Sequence, residues 1–199
     1  MKILAFTDVH SNKSALDKIK EKALKEKPDF LICAGDLSLF GKGLEAGAKF
    51  LNNLNIKTLI IPGNHETPEE IKDLCSKNKN FVSIHQGAYE YNDYIFFGWG
   101  TGGFSFIEEK FERIAKQFIK VYNKSKKLIF ITHAPIYNTK LDELSMGHRG
   151  CKSTRKFIEE TEPVLVVCGH FHENFKKQDK IKKTLIINPG NDGMIIELK

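Results

Sequence analysis

Short apolar runs alternate along the chain with stretches whose apolar residues recur every three or four positions. Ile3 to Thr7 and Phe30 to Ala34 read as buried strands. Between them, Leu16, Ile19, Ala23 and Leu24 share one face of a helix from about Lys13 to Lys27. Leu44 to Asn53 is predicted helical, and Thr58 to Ile61 a third strand. Thr67 then offers an N-cap and Pro68 the first helical position, with Glu69 and Glu70 at the positive end of the dipole; this helix ends near Ser76.

Phe81 to Ile84 reads as a strand, and Tyr89 to Tyr91 with Tyr94 to Trp99 as a hairpin about Asn92-Asp93, a turn without the usual glycine. Ile107, Phe111, Ile114, Phe118 and Tyr122 form a helix stripe over Phe106 to Tyr122. Strands follow at Leu128 to Thr132 and Val164 to Cys168, separated by a helix near Lys152 to Glu160. The tail predicts three strands, Asn174 to Gln178, Thr184 to Ile187 and Met194 to Leu198. The first half is therefore βαβαβα and the end is β-rich. No Pro- or Ser-rich joint divides them, so one α/β domain over residues 1–199 carrying two sheets is expected.

Composition narrows this a little. With 41% hydrophobic and 28% charged residues over 199 positions, the chain suits a folded domain and not a disordered or collagen-like one. No apolar run approaches the ~18 residues of a membrane span. Asp8 and His10 interrupt the first apolar stretch, so no secretory signal is expected and a cytoplasmic location is. The net charge of +6 comes from 31 basic against 25 acidic residues, mostly lysines interleaved with glutamates on solvated faces. A basic surface is compatible with a nucleic-acid partner without favouring one, a membrane is not expected, and the charge leaves the oligomeric state open. Cys33, Cys75, Cys151 and Cys168 lack C-x-x-C spacing, which argues against a thiolate zinc site, and a cytosolic chain of this size has no need of disulfides.

The chemistry lies where the apolar runs stop. They end in Asp8-Val9-His10, in Gly35-Asp36, in Pro62-Gly63-Asn64-His65-Glu66, in His133, and in Gly169-His170-Phe171-His172. The carboxyl ends of strands in an α/β sheet form the ligand crevice, so five segments are expected to deliver donors to one sheet edge. Asp8 and His10 are two apart, as are His170 and His172, and an extended backbone would turn each pair to one side. Two aspartates, one asparagine and four histidines besides His65 exceed what one ion takes, but suit two divalent ions sharing a carboxylate.

This ordered set, D-x-H, G-D, G-N-H-E, a histidine before Ala-Pro and G-H-x-H, closely resembles the calcineurin-like metallophosphoesterase superfamily. Asn188-Pro189-Gly190 resembles a late turn found in many members. The resemblance implies a four-layer α/β/β/α sandwich of two mixed sheets flanked by helices, with a dinuclear metal centre. It implies that Asp8, His10, Asp36 and His172 hold one metal. Asp36 as a bridge, with Asn64, His133 and His170, would hold the other. His65 matches the catalytic histidine. Glu66 stands where many members carry Asp, and would orient the His65 ring or simply favour the following helix start.

The implied activity is hydrolysis of a phosphoester substrate, a phosphodiester first, by a metal-bridging hydroxide with His65 assisting the leaving group. Two divalent ions, two aspartates and one hydroxide leave roughly one positive charge, which suits a diester anion. Alternatives are a phosphomonoesterase and a non-catalytic scaffold of this fold. Manganese is the first expectation for the metal, with iron, nickel, cobalt, zinc or magnesium also compatible. His148 and Arg149 are candidate phosphate contacts, or part of an ordinary exposed loop. Gly98 to Gly103 literally contains G-x-G-x-x-G, but the next strand leads to His133, not to a ribose-binding acid. A flexible loop is expected there instead, with Trp99, Phe104 and Phe106 lining a pocket or packing.

Overall fold

The computed structural model describes residues 1–198. In chain order the elements begin β1 (Lys2–Phe6), α1 (Lys13–Glu26), β2 (Phe30–Cys33), α2 (Leu44–Asn52), β3 (Lys57–Ile60), α3 (Pro68–Lys77) and β4 (Phe81–Ser83). Next come β5 (Ala88–Tyr91), β6 (Tyr94–Trp99), α4 (Glu109–Val121), β7 (Lys127–Thr132), β8 (Glu143–Leu144), β9 (Gly147–His148) and α5 (Lys152–Thr161). The chain ends with β10 (Leu165–Val167), a 3-10 turn at His172–Asn174, β11 (Gln178–Ile181), β12 (Thr184–Ile187) and β13 (Met194–Glu197).

Two sheets face each other. The first runs β13-β1-β2-β3-β4, with β1 to β4 parallel and β13 antiparallel at one edge. The second runs β11-β12-β10-β7-β6-β5, with four parallel strands between antiparallel edges. The period-2 alternation of the strands sorts their side chains into three cores. Ile3, Ala5, Ile32 and Leu59 meet Phe96, Ile129, Ile131 and Val167 between the sheets. Leu4, Phe6, Leu31 and Ile60 point the other way and pack under Ile19, Leu51, Ile71 and Leu74 of α1 to α3. Phe97, Phe130 and Val166 pack under Phe111, Phe118 and Phe157 of α4 and α5. The result is the expected four-layer α/β/β/α sandwich.

Local signals explain several boundaries. Thr67 and Glu70 form a reciprocal capping box at α3, with Pro68 in the first turn. The β5–β6 hairpin turns without glycine because Asn92 itself adopts a left-handed backbone, φ 50. Two boundaries and one element differ from expectation. Helix α4 begins at Glu109, leaving Ile107 exposed before it. Asn174 lies in the 3-10 turn, its amide donating to the Leu141 and Glu143 carbonyls, so the strand expected from 174 starts at Gln178. The hairpin β8–β9 falls in a segment with no strand pattern. Among the described residues, no helix is long and apolar enough to cross a membrane, and all four cysteines are free.

The aromatic core under the second sheet generates the first prediction. Phe130 is fully buried, 4.9 Å from the Phe157 ring centroid and 5.7 Å from that of Phe111. Phe130→Ala should lower unfolding free energy by about 3–5 kcal/mol. A urea midpoint within error of the parent would contradict this packing.

Candidate metal centre

Three of the five motif segments leave the first sheet, after β1, β2 and β3, and two leave the second, after β7 and β10. The crevice therefore spans the carboxyl ends of two facing sheets rather than one edge. Backbone bonds lash the segments together. Asp8 N–H donates to Gly35 O and His10 N–H to Asp36 O, both at 3.0 Å, and Gly169 N–H donates to His133 O at 3.0 Å. The Asn188-Pro189-Gly190 turn supports both halves, since Gly190 O accepts from Thr7 N–H and the Asn188 amide donates to Phe171 O.

The paired donors converge, but not through extended backbone. Asp8, His10, Asp36 and His170 all have left-handed φ values, 52, 47, 54 and 72 degrees. Such backbone is costly for non-glycine residues and concentrates at functional sites. Gly63 is required by close approach: a Cβ there would overlap the Asp36 carboxylate.

Each aspartate divides its two oxygens. Asp8 Oδ2 accepts from the Thr7 hydroxyl at 2.7 Å and from His170 N–H at 2.9 Å. Its Oδ1 is buried, has no hydrogen-bond partner among the described residues and lies 3.4 Å from His172 Nε2. Asp36 Oδ1 accepts from His65 N–H at 2.9 Å. Its Oδ2 faces His133 Nε2 at 3.3 Å and the Nε2 atoms of His10 and His65 at 3.9 Å.

Carbonyl partners set the imidazole tautomers. His10 Nδ1 and His133 Nδ1 donate to Ser38 O and Ala34 O, which turns each Nε2 toward the centre. His65 is reversed, because its Nδ1 accepts Phe40 N–H at 3.2 Å. Its Nε2 then carries the proton.

Electrostatics follow from this crowding. Burial pushes the Asp8 carboxyl up, but His172, His133 and the Thr7 hydroxyl outweigh it and hold the group at about 2. Burial also disfavours charge on His133, yet Asp36 and Asp8 raise it to about 9. Its Nε2 lies 3.0 Å from Asn64 Oδ1 as well as near Asp36, so the imidazolium has acceptors on both sides. His170 is driven down to about 4 by burial and by His133.

The donor set fits divalent cations. Asp8, His10 and His172, then His10, Asp36 and His65, then Asp36, His133 and His170 form three groups whose ligand atoms lie within 4.8 Å of one another. Two of the four buried side-chain polar atoms without a partner among the described residues, Asp8 Oδ1 and His170 Nε2, belong to these groups. His10 Nε2 faces His172 Nε2 at 3.2 Å, an opposition of nitrogens that a proton or a shared cation must relieve. Imidazole with carboxylate oxygen suits first-row divalent metals.

A family model for calcineurin-like phosphoesterases matches residues 1–174. The chain belongs to the calcineurin-like phosphoesterase family. It is accordingly a metallophosphoesterase, a hydrolase acting on phosphate esters in a family that binds divalent metal ions. Protein MJ1162 of Methanocaldococcus jannaschii is 32% identical, the match covering 95% of this chain and 88% of that protein. A probable glycerophosphodiester phosphodiesterase of Arcobacter nitrofigilis is 29% identical, covering 85% of this chain and 66% of its own length. Among solved structures, TT1561 of Thermus thermophilus shares the fold with a TM-score of 0.78 at 17% identity, covering 96% of this chain and 90% of that one.

Within this phosphoesterase site, Glu66 departs from expectation. Its Oε1 accepts from the Ser38 amide and hydroxyl at 2.7 Å, and its Oε2 from the amides of Asp36 at 3.0 Å and Gly63 at 3.1 Å. All of its bonds go to the loops that carry Asp36 and Asn64, and none to the His65 ring. Burial pushes its carboxyl up, and the Ser38 and Gly63 donors oppose that. His148 and Arg149 are engaged elsewhere: His148 Nδ1 donates to Asp142 Oδ1 at 2.7 Å, and the Arg149 guanidinium lies over the Phe106 ring. Phe40, which sets the His65 tautomer, escapes motif reading because its contribution is a backbone N–H.

Two outcomes are expected. Glu66→Gln places an amide NH₂ against two donors and should cost about 1–3 kcal/mol, measured as a lowered denaturation midpoint together with weaker metal retention. Loading stripped protein with Mn²⁺ at pH 7 should release about one proton per chain if His133, raised to about 9, ligates the ion through Nε2. Calorimetry in buffers of different ionisation enthalpy reads this, and a buffer-independent heat would contradict it.

Proposed function

We propose that the chain hydrolyses phosphodiesters at a two-ion centre. The observation that carries this reading is the Asp36 carboxylate, whose Oδ2 faces imidazoles of both outer donor groups. Asp8, His10, Asp36 and His172 would hold one ion, and Asp36, Asn64, His133 and His170 the other. Two divalent ions bound there would supply Lewis-acid activation of water and neutralise charge on phosphoryl oxygens.

The chain's own residues do the rest. Asp36 and Asp8, fixed by amide and hydroxyl donors, orient their free oxygens inward without reorganisation. His65 presents Nε2–H beside Asp36, where it donates to a phosphoryl or leaving-group oxygen. With Nδ1 occupied by the Phe40 amide, this histidine supports the developing negative charge by hydrogen bonding. Water adds to phosphorus, one P–O ester bond breaks, and the departing alcohol takes a proton from the water consumed. His148 and Arg149 have no role in this reading, since their contacts run to Asp142 and Phe106. The name of the Arcobacter nitrofigilis relative supports the diester class. Manganese is the first ion to test; the donor set also admits iron, nickel, cobalt, zinc and magnesium.

The test uses stripped protein supplied with each of these ions and assayed on bis(p-nitrophenyl) phosphate and p-nitrophenyl phosphate. A metal-dependent rate that is higher on the diester is expected, and His65→Asn should lower kcat by about 10²–10⁴-fold with metal content retained. A faster monoester rate would assign a phosphomonoesterase. No turnover with any ion would leave a binding scaffold.

A further inference from the structure

Two exposed phenylalanines touch the centre. Phe40 and Phe104 are each 74% exposed, although an apolar ring of this size is normally drawn inward. The Phe40 ring lies 4.0 Å from the His65 ring centroid, tilted by 45 degrees. Phe104 meets the His170 ring edge-on at 4.5 Å. They come from opposite sheets, Phe40 from the loop after β2 and Phe104 from the loop after β6. Both rings they contact have a ring nitrogen near Asp36, which groups with His65 in one donor set and with His170 in another.

Neither ring is there by default. Phe40 holds a left-handed backbone, φ 51, a conformation costly for a side chain of its bulk, while its amide engages His65. The loop carrying Phe104 lies directly on a metal-ligand candidate: a Cβ at Gly103 would come 2.5 Å from His170 Cε1 and Nε2. The glycine run that mimics a dinucleotide-binding motif thus serves to bring backbone against His170 and to hold Phe104 beside it.

We propose that Phe40 and Phe104 form an aromatic rim that selects phosphodiesters bearing a planar aromatic ester group, a nucleobase or a simple aryl. This deepens, and rests on, the phosphodiesterase reading above. A phosphate bound near Asp36 would have its ester arms within reach of His65 and His170, and so of the rings that touch them. A planar arm stacks on them and removes exposed apolar area from water, whereas a glycerol or methyl arm has no π-face to offer.

The experiment compares three diesters with a common p-nitrophenolate leaving group, whose ring is constant across the series so that the ratios read stacking of the second arm alone. That arm is methyl, phenyl or 5′-thymidine, and each rate is divided by its uncatalysed rate. The metal-loaded parent should favour the phenyl or thymidine arm over methyl in kcat/KM by about 5- to 150-fold. Phe104→Ala or Phe40→Ala should shrink that ratio, and a drop in either assigns the stacking to that ring. Phe104→Leu, which keeps bulk without a π-face, should shrink it as well. Equal gains with phenyl and thymidine identify any aryl arm, and a gain confined to thymidine identifies a nucleobase. A parent ratio near one, or ratios unchanged in both alanine variants with metal content retained, would overturn the rim while leaving a working phosphodiesterase. No hydrolysis of any of the three diesters would overturn the phosphodiesterase reading and the rim with it.

Discussion

The centre depends on one hydrogen bond across the sandwich, from His170 N–H to Asp8 Oδ2 at 2.9 Å. Asp8 belongs to the first sheet and His170 to the second. That link works with the His133 bond to Ala34 O and the Thr7 bond to Gly190 O to add direction to an apolar interface that is strong but non-directional. The carboxylate makes the relation specific and still leaves Oδ1 free for the site. Asp36 repeats the arrangement, one oxygen on the His65 amide and the other toward the imidazoles.

Holding so many polar groups in a dry crevice is costly, and the fold offsets that in two ways. Rigid backbone carbonyls at Ala34 and Ser38 take the outer N–H of His133 and His10, so neither ring leaves that donor facing apolar core. Glu66, buried beneath the loops, gathers three amides and one hydroxyl and fixes the segment between Asp36 and Gly63. The left-handed backbone at four candidate ligands is sustained by this network. Strain of that kind persists only where the surroundings over-determine it.

Much of this was legible in the sequence because two local patterns carry it. Period-2 alternation separates Ile3 and Ala5 from Leu4 and Phe6, and the structure places these pairs in different cores. The abrupt stop of each apolar run at Asp, His or Asn marks the strand ends that build the site. What escaped depends on partners distant in the chain. Asn174 ends in a turn and not a strand because carbonyls at 141 and 143 capture its amide. Glu66 is diverted from His65 by donors at 36, 38 and 63. His148 is drawn to Asp142, itself the acceptor for the amides of Asn138, Thr139 and Gly150.

By itself the sequence determined the layered α/β architecture, the strand ends that carry donors, and the imidazole and carboxylate character of those donors. These follow from hydrophobic period and residue type, which are local properties. Only the tertiary structure decided that the crevice joins two sheets, which nitrogen of each histidine faces it, that Glu66 anchors loops, and that Phe40 and Phe104 stand at its mouth. Each of those depends on a hydrogen bond or ring contact between segments tens of residues apart. Such contacts are set by how the sheets pack, and no local pattern encodes them.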